Sequence, residues 1–165
     1  MQWLNRLQKE LDALRAPTAA ELFAALQAAP CTKEDLAAFV TEPEAGRAYG
    51  RNVLYRSNHV EAIVVHLPPG AATSVHDHGD SVGCAKVVEG ELCNAIYRKS
   101  DYGMAAETGA VTVAAGKHVF APHGQIHQMR SSGNGRTVSL HLYAPPIAGM
   151  KIYVPEELAV LDYVI

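Results

Sequence analysis

Over the first 45 residues apolar positions recur at helical spacing; beyond residue 49 they fall in short β-branched runs cut by glycine and proline. Trp3, Leu4, Leu7, Leu11 and Leu14 lie on one face of a 3.6-residue period. Ala16-Pro17 closes that helix, because proline has no backbone N–H to give and crowds the residue before it. Thr18 and Glu21 have the spacing of a capping box for a second helix running through Leu26. Thr32 is placed to cap a third around Leu36 to Val40, which Pro43 ends. The grammar then changes. Asn52–Tyr55, Glu61–Leu67, Cys84–Val88, Leu92–Tyr97, Ala110–Val113 and Thr137–Tyr143 read as strands, with turn signals at Pro68-Pro69-Gly70, Glu89-Gly90, Ala115-Gly116 and Gly133-Asn134-Gly135. Many short strands between such turns predict a mainly β chain, a sandwich or barrel, with the N-terminal helices packed outside it. The expected organisation is one domain over 1–165, with a helical segment at 1–45 and the β-barrel at 49–155.

Composition narrows the partners. A chain of 165 residues with 48% hydrophobic and 19% charged residues can bury a sizeable core. Its net charge of −3 and the lack of any Lys/Arg run argue against a nucleic-acid or anionic-membrane surface. The start, Met-Gln-Trp-Leu-Asn-Arg-Leu, mixes charge with apolar residues, so no signal peptide is expected. No apolar stretch approaches the roughly 18 residues of a membrane span. Cys31, Cys84 and Cys93 are odd in number and far apart, which argues against a disulfide framework and for a reducing cytoplasm.

The chemistry concentrates at His76-Asp77-His78. In an extended strand alternate side chains share a face, so His76 and His78 point the same way, roughly 7 Å apart along the chain. A third imidazole from a neighbouring strand would complete three adjacent positions around one metal ion and leave the others open. Pro122-His123-Gly124 and His127 offer two candidates. His59, His66 and His118 have no such context and read as surface or packing residues.

A second line of polar residues runs along Thr137–Tyr143. Ser139, His141 and Tyr143 share one strand face, while Val138, Leu140 and Leu142 take the other. Ser139 is placed to hydrogen-bond His141, which can orient the phenol of Tyr143. No carboxylate completes a hydrolase triad on this strand. Arg51, in Tyr49-Gly50-Arg51-Asn52, carries the planar fork that suits a carboxylate. On pattern alone a surface arginine is the commoner reading.

Gly70-x5-His76-x-His78-x4-Gly83-x6-Gly90 and Gly116-x5-Pro122-x-Gly124-x2-His127 resemble the two motifs of the cupin superfamily of small jelly-roll β-barrels. The match selects His127 over His123. It departs at Gly83, where many cupins carry a glutamate ligand, and so leaves a neutral three-histidine set. Adding Tyr49-x-Arg51-Asn52, Asp80-Ser81 and Ser139-Leu140-His141-Leu142-Tyr143-x-Pro145-Pro146, residues 49 to 146 resemble cysteine dioxygenase, a thiol dioxygenase family within the cupins. The resemblance implies His76, His78 and His127 as Fe(2+) ligands. It implies Arg51 as the clamp for the substrate carboxylate, with Tyr49 beside it, and Tyr143 as the active-site phenol backed by His141 and Ser139. It implies L-cysteine and O2 as substrates, cysteine sulfinate as product, and a cis bond at Ala144-Pro145. Animal members of that family carry, where this chain has Gly83, a cysteine bonded to the tyrosine; Cys84 points to the opposite face, so no thioether is expected. Met150 stands where animal members have a further cysteine. Another thiol acid such as 3-mercaptopropionate is the nearest alternative substrate, although relatives that prefer it usually have glutamine in place of Arg51. A non-catalytic cupin that binds a metal or small ligand is the alternative of another class.

Overall fold

The capping box predicted at Thr18 forms, and the cap predicted at Thr32 forms as a second capping box. In the computed structural model, which describes residues 2–157 apart from 102 and 133, Thr18 opens α2 (Ala19–Ala28) and Thr32 opens α3 (Lys33–Leu36). Each threonine hydroxyl accepts from the backbone N–H three residues on, while the Glu21 or Asp35 carboxylate reaches back to the cap. The first helix, α1 (Gln2–Asp12), stops short of Leu14. The third is shorter than its spacing predicts: after Leu36 the chain tightens into a 3-10 turn over Ala37–Phe39.

Among the described residues ten strands follow: β1 (Gly50–Arg56), β2 (Glu61–Leu67), β3 (Val75–His76), β4 (Val82–Glu89), β5 (Glu91–Lys99), β6 (Ala105–Ala114), β7 (His118–Ala121), β8 (Ile126–Ser131), β9 (Thr137–Ala144) and β10 (Ile152–Tyr153). They form two five-stranded antiparallel sheets, ordered β1-β2-β9-β4-β7 and β10-β3-β8-β5-β6. This is the mainly β, jelly-roll architecture expected, with the helices on its outside. The predicted segments all lie within strands, but β3, β7, β8 and β10 did not announce themselves in the pattern.

The first sheet is covered on both faces. Leu7, Leu11, Leu22, Leu26 and Leu36 of the helical segment pack on Ala62, Val64, Cys84, Leu140 and Leu142. The other face, with Ile63, Val65, Val87 and Tyr143, meets Leu92, Val113 and Met129 across the barrel interior. Each fully buried leucine removes enough apolar surface from water to contribute about 1.5–3 kcal/mol. Burial on both faces is why every residue of β2 and of β9 is buried. The polar face of β9 therefore looks into the barrel and not into water.

Candidate metal centre and adjoining cleft

Three imidazoles meet inside the barrel. His76 and His127 are register partners across β3 and β8, and their ring centroids lie 4.8 Å apart. β3 ends at His76, so His78 stands just past the strand and not within it; its ring still lies 5.0 Å from His76 and 4.8 Å from His127. One nitrogen from each of the three falls within 4.8 Å of the others, and all three residues are buried. His123 is not part of the group: its side chain is 65% exposed and faces Asp80.

The outward nitrogens show which atoms are left for a cation. His76 donates from Nδ1 to the Ser74 carbonyl at 2.8 Å, and His127 from Nδ1 to Asn94 Oδ1 at 2.7 Å. Both Nε2 lone pairs then point inward, the tautomer that such partners impose on metal-binding histidine. Nε2 of His127 and Nε2 of His78 lie 3.3 Å apart, and Nδ1 of His78 is buried without a hydrogen-bond partner. Two ring nitrogens so close are satisfied together by a positive ion between the rings. Burial also pushes the imidazoles down: His78 to about 4, His127 well below its ordinary range, and His76 in the same direction. They are neutral near pH 7, as ligands must be. The residues present fit a divalent ion held by three neutral nitrogens.

The polar line on β9 forms as expected. Ser139 Oγ lies 2.7 Å from His141 Nε2, and His141 Nδ1 lies 3.0 Å from the Tyr143 hydroxyl. Burial drives His141 down to about 3 and raises the Tyr143 phenol above its usual range, so both stay neutral. Tyr143 packs on the ring of His78, with centroids 4.7 Å apart. Gly83 faces Tyr143 in the sheet register, and a Cβ there would sit 2.7 Å from the Tyr143 ring. Glycine lets the two strands keep that ring in place. Cys84 points the other way, into the cluster under the helices, and its thiol is pushed up to about 12 by burial. The Ala144-Pro145 bond is cis.

A cleft of about 370 Å³ opens on the imidazoles, with Tyr49, Arg51, His76, His78, Tyr143 and Met150 among its walls. Arg51 is paired with Glu61, a residue that sequence reasoning passed over. Asn94, which orients His127, was passed over too. Each interrupts an apolar run, Val60–Val65 and Leu92–Tyr97, and that interruption was the available signal. Asp77, between two of the histidines, accepts from the backbone N–H of Gly79 and Lys151 and from the Tyr153 hydroxyl. It ties the segment bearing Met150 to the mouth of the cleft.

The fold has known relatives. A protein from Klebsiella pneumoniae with a double-stranded β-helix domain aligns at 24% identity over 72% of this chain and 88% of its own, with a TM-score of 0.57. A cupin-2 domain from Rhodospirillum rubrum aligns at 18% identity over 74% and 78%, with a TM-score of 0.55. These likenesses establish the cupin fold. Among the described residues no helix is long and apolar enough to cross a membrane. The model of the family described as cysteine dioxygenase type I matches residues 11–155, which take in the three imidazoles, Arg51 and the β9 line. The chain belongs to the cysteine dioxygenase type I family.

Proposed function

We propose that the protein is an iron(II)-dependent thiol dioxygenase that converts L-cysteine and O2 to cysteine sulfinate. The observation that carries this reading is the convergence of three buried, neutral imidazoles at a cleft that also holds Arg51 and Tyr143. His76, His78 and His127 would hold the metal through Nε2. Three neutral ligands leave a +2 charge uncompensated, which favours an anionic thiolate at a remaining position. A ferrous ion there supplies the electron-transfer chemistry that lets dioxygen react with sulfur. Both oxygen atoms end on sulfur, whose own oxidation from thiolate to sulfinate provides the electrons, so no further reductant is consumed.

The chain's residues do the rest. Arg51 binds the substrate carboxylate through its guanidinium, a charge-assisted pair of the stronger kind, with Tyr49 beside it. Fixing the carboxylate at one end of the cleft and sulfur at the other sets the thiol in a single orientation. Tyr143 keeps its proton on Oη and donates toward charge that builds near the imidazoles. His141 and Ser139 hold that hydroxyl in place. Burial of the ring keeps water away from the reacting sulfur.

A panel of thiols assayed by O2 uptake tests the substrate. Cysteine should give the highest kcat/KM, above 3-mercaptopropionate and 2-aminoethanethiol. A preference for 3-mercaptopropionate would move the protein to that substrate. Stoichiometric zinc with no thiol-dependent O2 uptake would make it a non-catalytic metal-binding cupin.

A further inference from the structure

Among the described residues Glu61 is the one carboxylate buried to 0% exposure, and the reaction above gives it no task. It opens β2 inside the apolar run Val60-Glu61-Ala62-Ile63-Val64-Val65, where an acid is costly unless something nearby answers its charge. Its register partner is Tyr143, so both side chains enter the barrel on the same face. There Oε1 accepts from Arg51 Nη2. Oε2 has no hydrogen-bond partner and lies 4.0 Å from Arg56 Nη1, near enough for attraction between charges but not for a hydrogen bond.

The backbone arranges this pairing. Arg51 is opposite Val65 and Val53 opposite Ile63, but the register slips between Val53 and Tyr55, so that Arg56 comes to face Glu61. Strand side chains alternate, and Arg51 and Arg56, five apart, would otherwise lie on opposite faces. The one-residue bulge brings both cations to the same buried carboxylate.

Arg51 also stands between two cavities. One is the cleft on the imidazoles. The other, about 80 Å³, is lined by Arg51 together with Thr41, Glu42, Glu44, Arg47 and Tyr49. Glu42 and Glu44 are exposed carboxylates, with side chains 81% and 79% accessible; Glu44 already pairs with Arg47 at 3.4 Å, and Glu42 lies 3.9 Å from His66. A guanidinium on a flexible stem, beside three imidazoles that would hold a cation, is attracted toward those acids. Something must hold it on the cleft side. We propose that Glu61 is a positioning residue, whose buried carboxylate takes one edge of the Arg51 guanidinium and keeps the other edge turned into the cleft, so that the site selects thiols bearing a carboxylate. The assignment rests on the thiol dioxygenase reading and extends it from the residue that meets substrate to the one that aims it.

The test is Glu61→Gln, which keeps the size of the side chain and removes its charge. Dissociation constants for cysteine and for 2-aminoethanethiol, the same thiol without the carboxylate, are measured anaerobically by calorimetry on the iron-loaded protein. Cysteine binding should weaken by about tenfold, the scale of one charge-assisted contact, while 2-aminoethanethiol shifts by less than about twofold. Glu61→Asp, with the charge on a shorter arm, should recover part of the difference. If Glu61→Gln does not fold, the ratio of the two constants in Glu61→Asp decides by the same criterion. An unchanged ratio in a folded variant, or equal weakening of both thiols, overturns the role given to Glu61. Wild-type protein that binds both thiols equally would instead refute the carboxylate clamp itself, a failure visible before any variant is made.

Discussion

Tyr143 shows how little a single hydroxyl is left to do once its surroundings are fixed. Its neighbour His141 is neutral and carries one proton for two partners. With that proton on Nδ1, Ser139 donates to Nε2, the ring donates to Tyr143 Oη, and the phenol proton is free for the cleft. With it on Nε2, the ring donates to Ser139 Oγ and the phenol donates back to Nδ1. The 2.7 Å and 3.0 Å contacts serve either arrangement, so a proton can move along the line without any heavy atom moving far. Tyr143→Phe should therefore lower kcat by about 100-fold, the lower end of the range for a positioned proton donor, and leave iron content unchanged by elemental analysis. Loss of iron in that variant would show that the tyrosine supports the ligands rather than the reacting atoms. At this scale the alternation Ser139, His141, Tyr143 was legible in the sequence, because a two-residue period needs no tertiary information. Glu61 and Asn94 were not, because their partners Arg51 and His127 lie 10 and 33 residues away and meet them only through strand pairing.

At the scale of elements, legibility followed length and periodicity. The strand predicted at Glu61–Leu67 matches β2 at both ends, since a β-branched run, Ile63-Val64-Val65, closed by Pro68-Pro69 leaves little choice. Both caps, Thr18 and Thr32, were readable because a helix cap is a local interaction between residues a few positions apart. β3 has two residues and β7 four, too few for a period to register, and β8 mixes His127, Gln128 and Arg130 with its apolar positions. Two of the three histidines that could hold a metal, His76 and His127, lie on those unannounced strands. The resemblance to the cupin motifs, carried by spaced glycines and prolines, pointed to them where hydrophobic patterning could not. The extended reading of His76 and His78 gave the right face and overran the strand by two residues. The short strand is held at that point by Asp77, which receives the segment before β10.

For the molecule as a whole, the barrel works as a dry container, and that has a measurable cost in acid. His78, His127 and His141 bind no proton at neutral pH because burial opposes their charge, with His78 held at about 4 and His141 at about 3. In the unfolded chain the same rings take up protons below pH about 6.5, so acid favours unfolding. Their contribution is complete above pH 6.5 and is lost as the pH falls toward 4 and 3. Urea unfolding of the metal-free protein should show stability falling with acidification through that window, by about 1.4 kcal/mol per pH unit for each imidazole fully involved. Stability flat between pH 6.5 and 4 would mean that the rings are wetter than this packing allows. The same container opens on a cleft where Arg51 and Tyr143 stand beside His76 and His78. The most direct test loads the protein with iron(II) without oxygen, adds cysteine and 18O2, and determines the product by mass. The account predicts cysteine sulfinate carrying two 18O atoms; a product with one label or none, or cystine alone, would contradict it.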